Sequence, residues 1–265
     1  MNATNSPTLA QSFEVIRSKL RDPEFLACRG LGNEVPFHVF PYDAAAEPEV
    51  RARLRDLLSE GTASLEPARI IHIDLWELIC DLCERRGLME KLPAFERKRG
   101  SDALLARLQT IASPARLVDH MHERLTAEYG EPQPGRDVLL ISGVGRAYPI
   151  TRAHQILECA QPVFSHIPVV LFYPGVYDGQ TLRLFGSIND GNYYRAFNIL
   201  CPPFPSIDPS SHSLAAPSGP ALPRKDISCA SKTCSNETST ATSTASSRSS
   251  KMTRRSSSRS SPNTW

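Results

Sequence analysis

Residues 139–154 read LLISGVGRAYPITRAH: a short apolar run, a Gly-x-Gly loop, an arginine at its tip, a proline and then a helical pattern. Junctions of this kind hold phosphates, because loop amides and a helix N-terminus both turn N–H groups toward an anion. Two phosphate-binding signatures can be checked residue by residue. A P-loop needs Gly-x-x-x-x-Gly-Lys-Ser/Thr, with the lysine reaching the terminal phosphates and the hydroxyl the metal. From Gly143 this chain runs Gly-Val-Gly-Arg-Ala-Tyr-Pro, with neither. The dinucleotide fingerprint needs a third glycine for close helix packing, and Tyr148 stands in that place. What survives is a strand–loop–helix corner. Gly143, Gly145, Arg146 and Tyr148 are its candidates for contact with an anion or a partner; the alternative is a tight turn whose glycines take positive φ.

Asp43 and Asp74 each follow a strand-like run, VPFHVF and ARIIHI. In a doubly wound sheet both would reach the C-terminal edge beside the 143–149 loop, where α/β proteins build their sites. Together they could hold a metal or a phosphate; equally, each could cap the helix that follows it. Cys80-x-x-Cys83 lacks the second ligand pair a zinc site needs and falls inside one helical pattern, so packing is its expected role. His120 and His122, one residue apart on a predicted helix, point to different faces, and neither they nor His72 and His154 have a partner evident in the sequence. No Gly-x-Ser-x-Gly elbow occurs. No catalytic residue, metal ligand or cofactor is therefore assigned. Seven residues in a turn-rich, aromatic stretch are interface candidates: Tyr173, Tyr177, Asp178, Arg183, Tyr193, Tyr194 and Arg195. Tyrosine and arginine are favoured at protein interfaces, with core and edge-strand packing as the alternative.

The elements that must position these residues follow from periodicity. A helix is predicted up to Leu20 with Asp22-Pro23 ending it, a strand at 35–40, a helix to about Ser59, a strand at Arg69–Ile73, and a helix at Leu75–Arg86. Helices at about 101–112 and 114–129 come next, then a strand at Val138–Ile141 and a helix at Ile150–Ala160. IPVVLFYPG, nearly all apolar, reads as a strand buried on both faces. Beyond it, Asp178-Gly179 and Asp190-Gly191 read as hairpin turns between alternating runs. The expected fold is a three-layer Rossmann-like or P-loop-like mixed α/β sheet, mostly parallel, with an antiparallel C-terminal edge.

Composition divides the chain. Residues 1–200 carry 22 Lys+Arg against 25 Asp+Glu, whereas 201–265 carry 8 against 3, with 19 Ser and 8 Pro. The first part has the apolar content for a core. The second cannot bury enough surface to offset its ordering entropy, so residues 201–265 are expected to be a disordered tail. Its abrupt onset after Leu200 is what a reading-frame slip produces. The net −3 of the body argues against direct nucleic-acid binding through a phosphate-neutralising surface. No apolar run has the length of a membrane span, the N-terminus lacks a signal-peptide pattern, and seven cysteines without framework spacing suit free thiols in a reducing cytoplasm.

The runs DVLLISGVGRAYPITRAHQIL and IPVVLFYPGVYDGQTLRLFGSINDGNYYRAFNIL, with FPYD after the first strand and IHIDLWELICDL, resemble the BrxB family of bacteriophage exclusion (BREX) systems, formerly a bacterial domain of unknown function. The resemblance spans residues 8–200, and family members end soon after the YYRAF segment. It implies a component of a phage-defence complex acting beside a DNA methyltransferase, a large ATPase and a PglZ-type protein. The implied role is a non-catalytic scaffold that contacts the PglZ-type partner. The reading left beside it is a nucleotide- or metal-binding enzyme or sensor using Asp43, Asp74 and the Gly143–Tyr148 loop. Resequencing the gene across codons 195–205 checks the frame-slip expectation; an uninterrupted frame in close relatives removes it.

Overall fold

Five strands lie side by side in parallel: β1 (Phe37–Tyr42), β2 (Arg69–Asp74), β3 (Asp137–Ser142), β4 (Val169–Tyr177) and β7 (Ala196–Asn198), in the order β2-β3-β4-β1-β7. The computed structural model describes residues 7–29, 35–60, 65–193 and 195–200, all within one unit, Met1–Ile207. Tyr194 and the expected disordered tail, 201–265, lie outside the described residues. All six residues of β3 and the first six of β4 are buried, as continuous apolar runs require when helices cover both faces.

Alternate residues of these strands feed two cores. On one face, α1 (Leu9–Leu20), α2 (Pro23–Leu26) and α3 (Glu47–Ser59) set Phe13, Leu20, Leu54 and Leu57 against Phe40, Leu140 and Phe172. On the other, α4 (Leu75–Arg85), α7 (Pro114–Tyr129) and α9 (Ala153–Phe164) set Leu78, Met121 and Leu157 against Ile71, Ile141 and Leu171. The remaining helices are α5 (Leu92–Arg99), α6 (Ser101–Ile111) and the four-residue α8 (Val144–Ala147). The α3 crossover runs from β1 to the far edge on one face, and the later crossovers step back on the other. The topological switch thus falls between β1 and β4. No described helix is long and apolar enough to cross a membrane.

The antiparallel C-terminal edge is a hairpin carried on β4. β4 outruns its parallel neighbours, and its last three residues pair with β5 (Thr181–Leu184), which pairs in turn with β6 (Ile188–Asn192). Among the described residues β6 pairs only with β5. The final run, read as part of an antiparallel edge, instead forms β7 parallel to β1, with Phe37 opposite Ala196. Asp190-Gly191 lies within β6; the β5–β6 turn is at Phe185-Gly186, where Ser187 donates to the Leu184 carbonyl at 3.2 Å. Asp22-Pro23 starts α2, with the Asp22 carboxylate accepting the Glu24 N–H at 3.0 Å. The helix expected at Ile150–Ala160 is α9, preceded by the separate turn of α8. α5 carries no buried residue and so leaves no apolar stripe in the sequence to find.

At the N-terminal edge Arg69 holds the fully buried Asp137 through two bonds of 2.7 and 2.6 Å and donates to the Tyr129 carbonyl at 3.0 Å. This ties β2 to β3 in register and satisfies a carboxylate that would be costly to bury alone.

His38 on β1 sits between Phe25 and Phe197, with ring centroids 4.9 and 5.7 Å away. Burial, aided by nearby Lys19, pushes its pKa down to about 4. The native imidazole therefore stays neutral while the unfolded chain takes up a proton near pH 6.5. Its stability contribution is complete above that pH and is lost as pH falls toward 4, by about 1.4 kcal/mol per pH unit. Urea denaturation between pH 7 and 4.5 should show this slope, and His38→Phe should flatten it. An unchanged slope in the variant would refute the assignment.

Candidate functional site

Asp74, the last residue of β2, gathers the C-terminal edge. Its Oδ1 accepts the N–H groups of Trp76 at 3.0 Å and Glu77 at 3.2 Å, capping α4. Its Oδ2 accepts the Ser142 hydroxyl at 3.1 Å and pairs with the Arg146 guanidinium. The parallel ladder sets this up: Asp74 stands opposite Ser142 and His72 opposite Leu140. His72 Nε2 lies 2.9 Å from Ser142 Oγ. Since the serine proton goes to Asp74, Nε2 of His72 is the donor to the serine oxygen. Burial lowers the His72 pKa although Asp74 and Glu77 pull the other way. In a Ser-His-Asp triad the imidazole stands between hydroxyl and carboxylate and takes the serine proton. Here the serine stands in the middle, and the three groups tie β2 to β3.

Gly143 has φ +78°, and a Cβ placed on it would lie 2.4 Å from Asp74 Oδ1. Glycine is therefore required both for the backbone conformation and for the close approach of the carboxylate. That carboxylate lies against the loop proposed from sequence as an anion cradle. It serves there as counter-ion to Arg146.

The loop's outer side faces the β5–β6 turn. A Cβ on Gly145 would come within 3.1 Å of both the Phe185 ring and Pro174. The Tyr148 ring meets Phe185 edge-on at 6.5 Å, and Arg152 lies 5.8 Å over the Tyr148 ring. Phe185 is 43% exposed and has φ 53°, beside Gly186 at 76°. Two positive φ values in succession give the primed turn that suits a hairpin, but a bulky aromatic rarely adopts one. Phe185 belongs to the aromatic stretch read from the sequence but not to its seven interface candidates; the Phe-Gly pair between two alternating runs is the signal that marks it. On the other side of Tyr148, the corner and α6 enclose an open cleft of about 430 Å³, whose apolar lining includes Trp76, Leu104, Leu105, Leu108 and Ile150, with Arg146 alongside. Gln109 ties α6 to the corner, donating to the Pro149 carbonyl at 3.0 Å.

Other candidates stand apart from this group. Asp43 is exposed and caps its own 3-10 turn by accepting the Ala45 N–H at 2.9 Å. Tyr173, Tyr177 and Tyr193 are buried and belong to the core rather than to a surface: the Tyr173 hydroxyl reaches Asp190 at 3.4 Å, and that of Tyr177 lies 2.8 and 2.7 Å from the Tyr193 and Ala196 carbonyls. Asp178 accepts the N–H groups of Gln180 and Thr181 and lies 3.7 Å from Arg183, while Arg195 binds Gln161; all three candidates are exposed. His120 is buried with its Nε2 2.6 Å from Asp81, a partner invisible in the sequence. Burial pushes the Cys80 and Cys83 thiols up. Among the described residues no three His, Cys, Asp or Glu side chains stand together in a way that could hold a metal.

The Asp74–Gly143 contact makes a measurable prediction. Positive φ alone costs a residue with a Cβ about 1–2 kcal/mol, and the clash adds to it, so Gly143→Ala should destabilise by about 3 kcal/mol in denaturant melts. Asp74→Ala opens the space, so the double variant should be more stable than the two single losses imply, by about 1 kcal/mol or more. Simple additivity would refute the contact.

The family profile described as BREX protein BrxB matches residues 71–199, which takes in the end of β2 with Asp74, all of β3 to β7, the corner and the cleft. A BREX protein BrxB of Bacillus cereus (strain H3081.97) is 34% identical over 194 residues, covering 72% of this chain and 96% of that protein. A BREX protein BrxB of Escherichia coli O9:H4 (strain HS) is 29% identical over 194 residues, covering 73% of this chain and 92% of its own length. No solved structure matches the chain. With the profile covering the corner and the cleft, and a relative 34% identical matched over 96% of its length, this chain belongs to the BrxB family of BREX proteins.

Proposed function

We propose that this protein is a non-catalytic adaptor of a BREX phage-defence complex, and that it binds a PglZ-type partner through the surface around the Gly143–Tyr148 corner. The methyltransferase and large ATPase of such systems act beside it. The observation that carries the reading is the ridge of Phe185, Tyr148 and Trp76. An aromatic held in a strained turn and left exposed is a feature that folding alone does not call for, and aromatic anchors dominate interface energetics. The chemistry beneath the ridge points the same way. Arg146 is neutralised by Asp74, and the Ser142 hydroxyl is committed to a carboxylate. These groups stabilise the corner rather than wait for a substrate. Direct nucleic-acid contact forms no part of this role.

Affinity purification of the full chain co-expressed with the remaining BREX components should recover the PglZ-type protein in stoichiometric amount. Phe185→Asn, which keeps a residue tolerant of positive φ, should reduce that recovery at least tenfold without lowering the melting temperature. Recovery of the other components without the PglZ-type protein would overturn the partner assignment. Millimolar ATP or GTP with Mg²⁺ should leave the melting temperature unchanged. A ligand at a hundred times its Kd adds about 2.7 kcal/mol, so a saturable rise would replace the adaptor reading with a nucleotide sensor.

A further inference from the structure

The α5–α6 hairpin is the least integrated part of the described chain. α5 buries no residue, and α6 buries only Ile111. Leu104, Leu105 and Leu108 of α6 are half-buried, and they form one wall of the cleft whose other wall is Trp76, Tyr148 and Ile150. Helices of this length are marginal in water and take their stability from packing an apolar face; this face packs on one side only.

The same hairpin, residues 92–111, carries four Lys+Arg against two Asp+Glu, within a body whose net charge is −3. Arg97, Lys98 and Arg99 end α5, separated only by Gly100 from Ser101 and Asp102, which line the cleft. All three are exposed, and none forms an ion pair among the described residues. One cation suffices to complement the carbonyl end of a helix; three in succession present a surplus of positive charge beside an apolar trough.

We infer that the cleft between α6 and the Arg146–Ile150 corner is the docking site for an acidic amphipathic helix of the protein partner. This rests on the adaptor reading and specifies the chemistry of the segment bound. The apolar trough takes side chains spaced at i, i+3/i+4 and i+7, as in helix-in-groove recognition. The Arg97–Arg99 rim meets acidic residues flanking that stripe and steers the encounter. Eleven residues of α6 make a wall of about 16 Å, which fits an occupant of about three turns. The trough's leucines and tryptophan favour a helix over a nucleic acid, whose backbone offers phosphates rather than an apolar face.

The full chain carrying a photo-crosslinking p-benzoylphenylalanine at Asp102, co-expressed with the other BREX components, tests this. The cross-linked peptide should be acidic with helical apolar spacing. Leu105→Glu should weaken the complex at least tenfold. The triple reversal Arg97→Glu, Lys98→Glu, Arg99→Glu, confined to exposed positions, should weaken it several-fold and flatten its salt dependence. Arg51→Glu on α3 should change neither. A cross-link to such a helix in a component other than the PglZ-type protein keeps the cleft and removes the partner named above. The inference is overturned by a complex that forms but ignores both cleft and rim variants. It is equally overturned by a cross-link to a basic or extended segment, to residues 201–265, to co-purified DNA or to nothing.

Discussion

A single carboxylate organises the functional end of this molecule. Asp74 ends β2, starts α4, receives the hydroxyl of β3 and fixes the arginine of the corner. Each bond satisfies a polar group that burial would otherwise strand, and a buried unpaired carboxylate or guanidinium costs several kcal/mol. The approach to Gly143 depends on the absence of a side chain there. Moving the carboxylate would displace the cap of α4, the Ser142 bond and the Arg146 guanidinium together. Arg69 and Asp137 do the corresponding job at the opposite edge, so the β2–β3 pair is clamped at both ends.

Much of this was legible in the sequence, and the reasons are physical. The continuous apolar runs of β3 and β4 can only be strands covered on both faces, and that made the layered sheet readable. Asp74 was placed correctly beside the 143–149 loop because strand ends in a parallel sheet share an edge. Asp43 was not brought to the same group, since its carboxylate is used locally by the 3-10 turn. The Ser142–His72 link could not be read, because it depends on strand register across 70 residues. Asp190-Gly191 misled because the pair makes an irregularity inside β6 instead of a hairpin turn: the β5–β6 register shifts there, Gly191 has φ 104°, and its N–H donates to the Asn189 side chain at 2.9 Å. The tyrosines of the aromatic stretch were ambiguous between core and surface, and only the path of the β5–β6 hairpin separates them.

The same edge shows why a family signature and a phosphate motif can look alike. Both need glycine where a strand turns sharply into a helix. In a phosphate site the space above the glycine is left for the ligand; here Asp74 fills it. The glycine spacing therefore reports a backbone constraint, and the identity of the neighbour decides what that constraint serves. The exposed aromatics follow from the same packing: α8 presses on Phe185 through Gly145, leaving the ring half in contact and half open.

β4 pairs with the parallel strands over its first part and with β5 from Gly175 on, where a Cβ would lie 2.1 Å from the Arg183 carbonyl oxygen, so only glycine allows the hairpin to lie so close. The β5–β6 hairpin is consequently an extension of the central strand and not a free loop. Whatever meets Phe185 meets a surface whose conformational entropy was already surrendered when the chain folded. In kinetic terms, encounter on this side involves no ordering step, which leaves long-range charge to govern how fast complexes form and the fit of the aromatic contacts to govern how long they last.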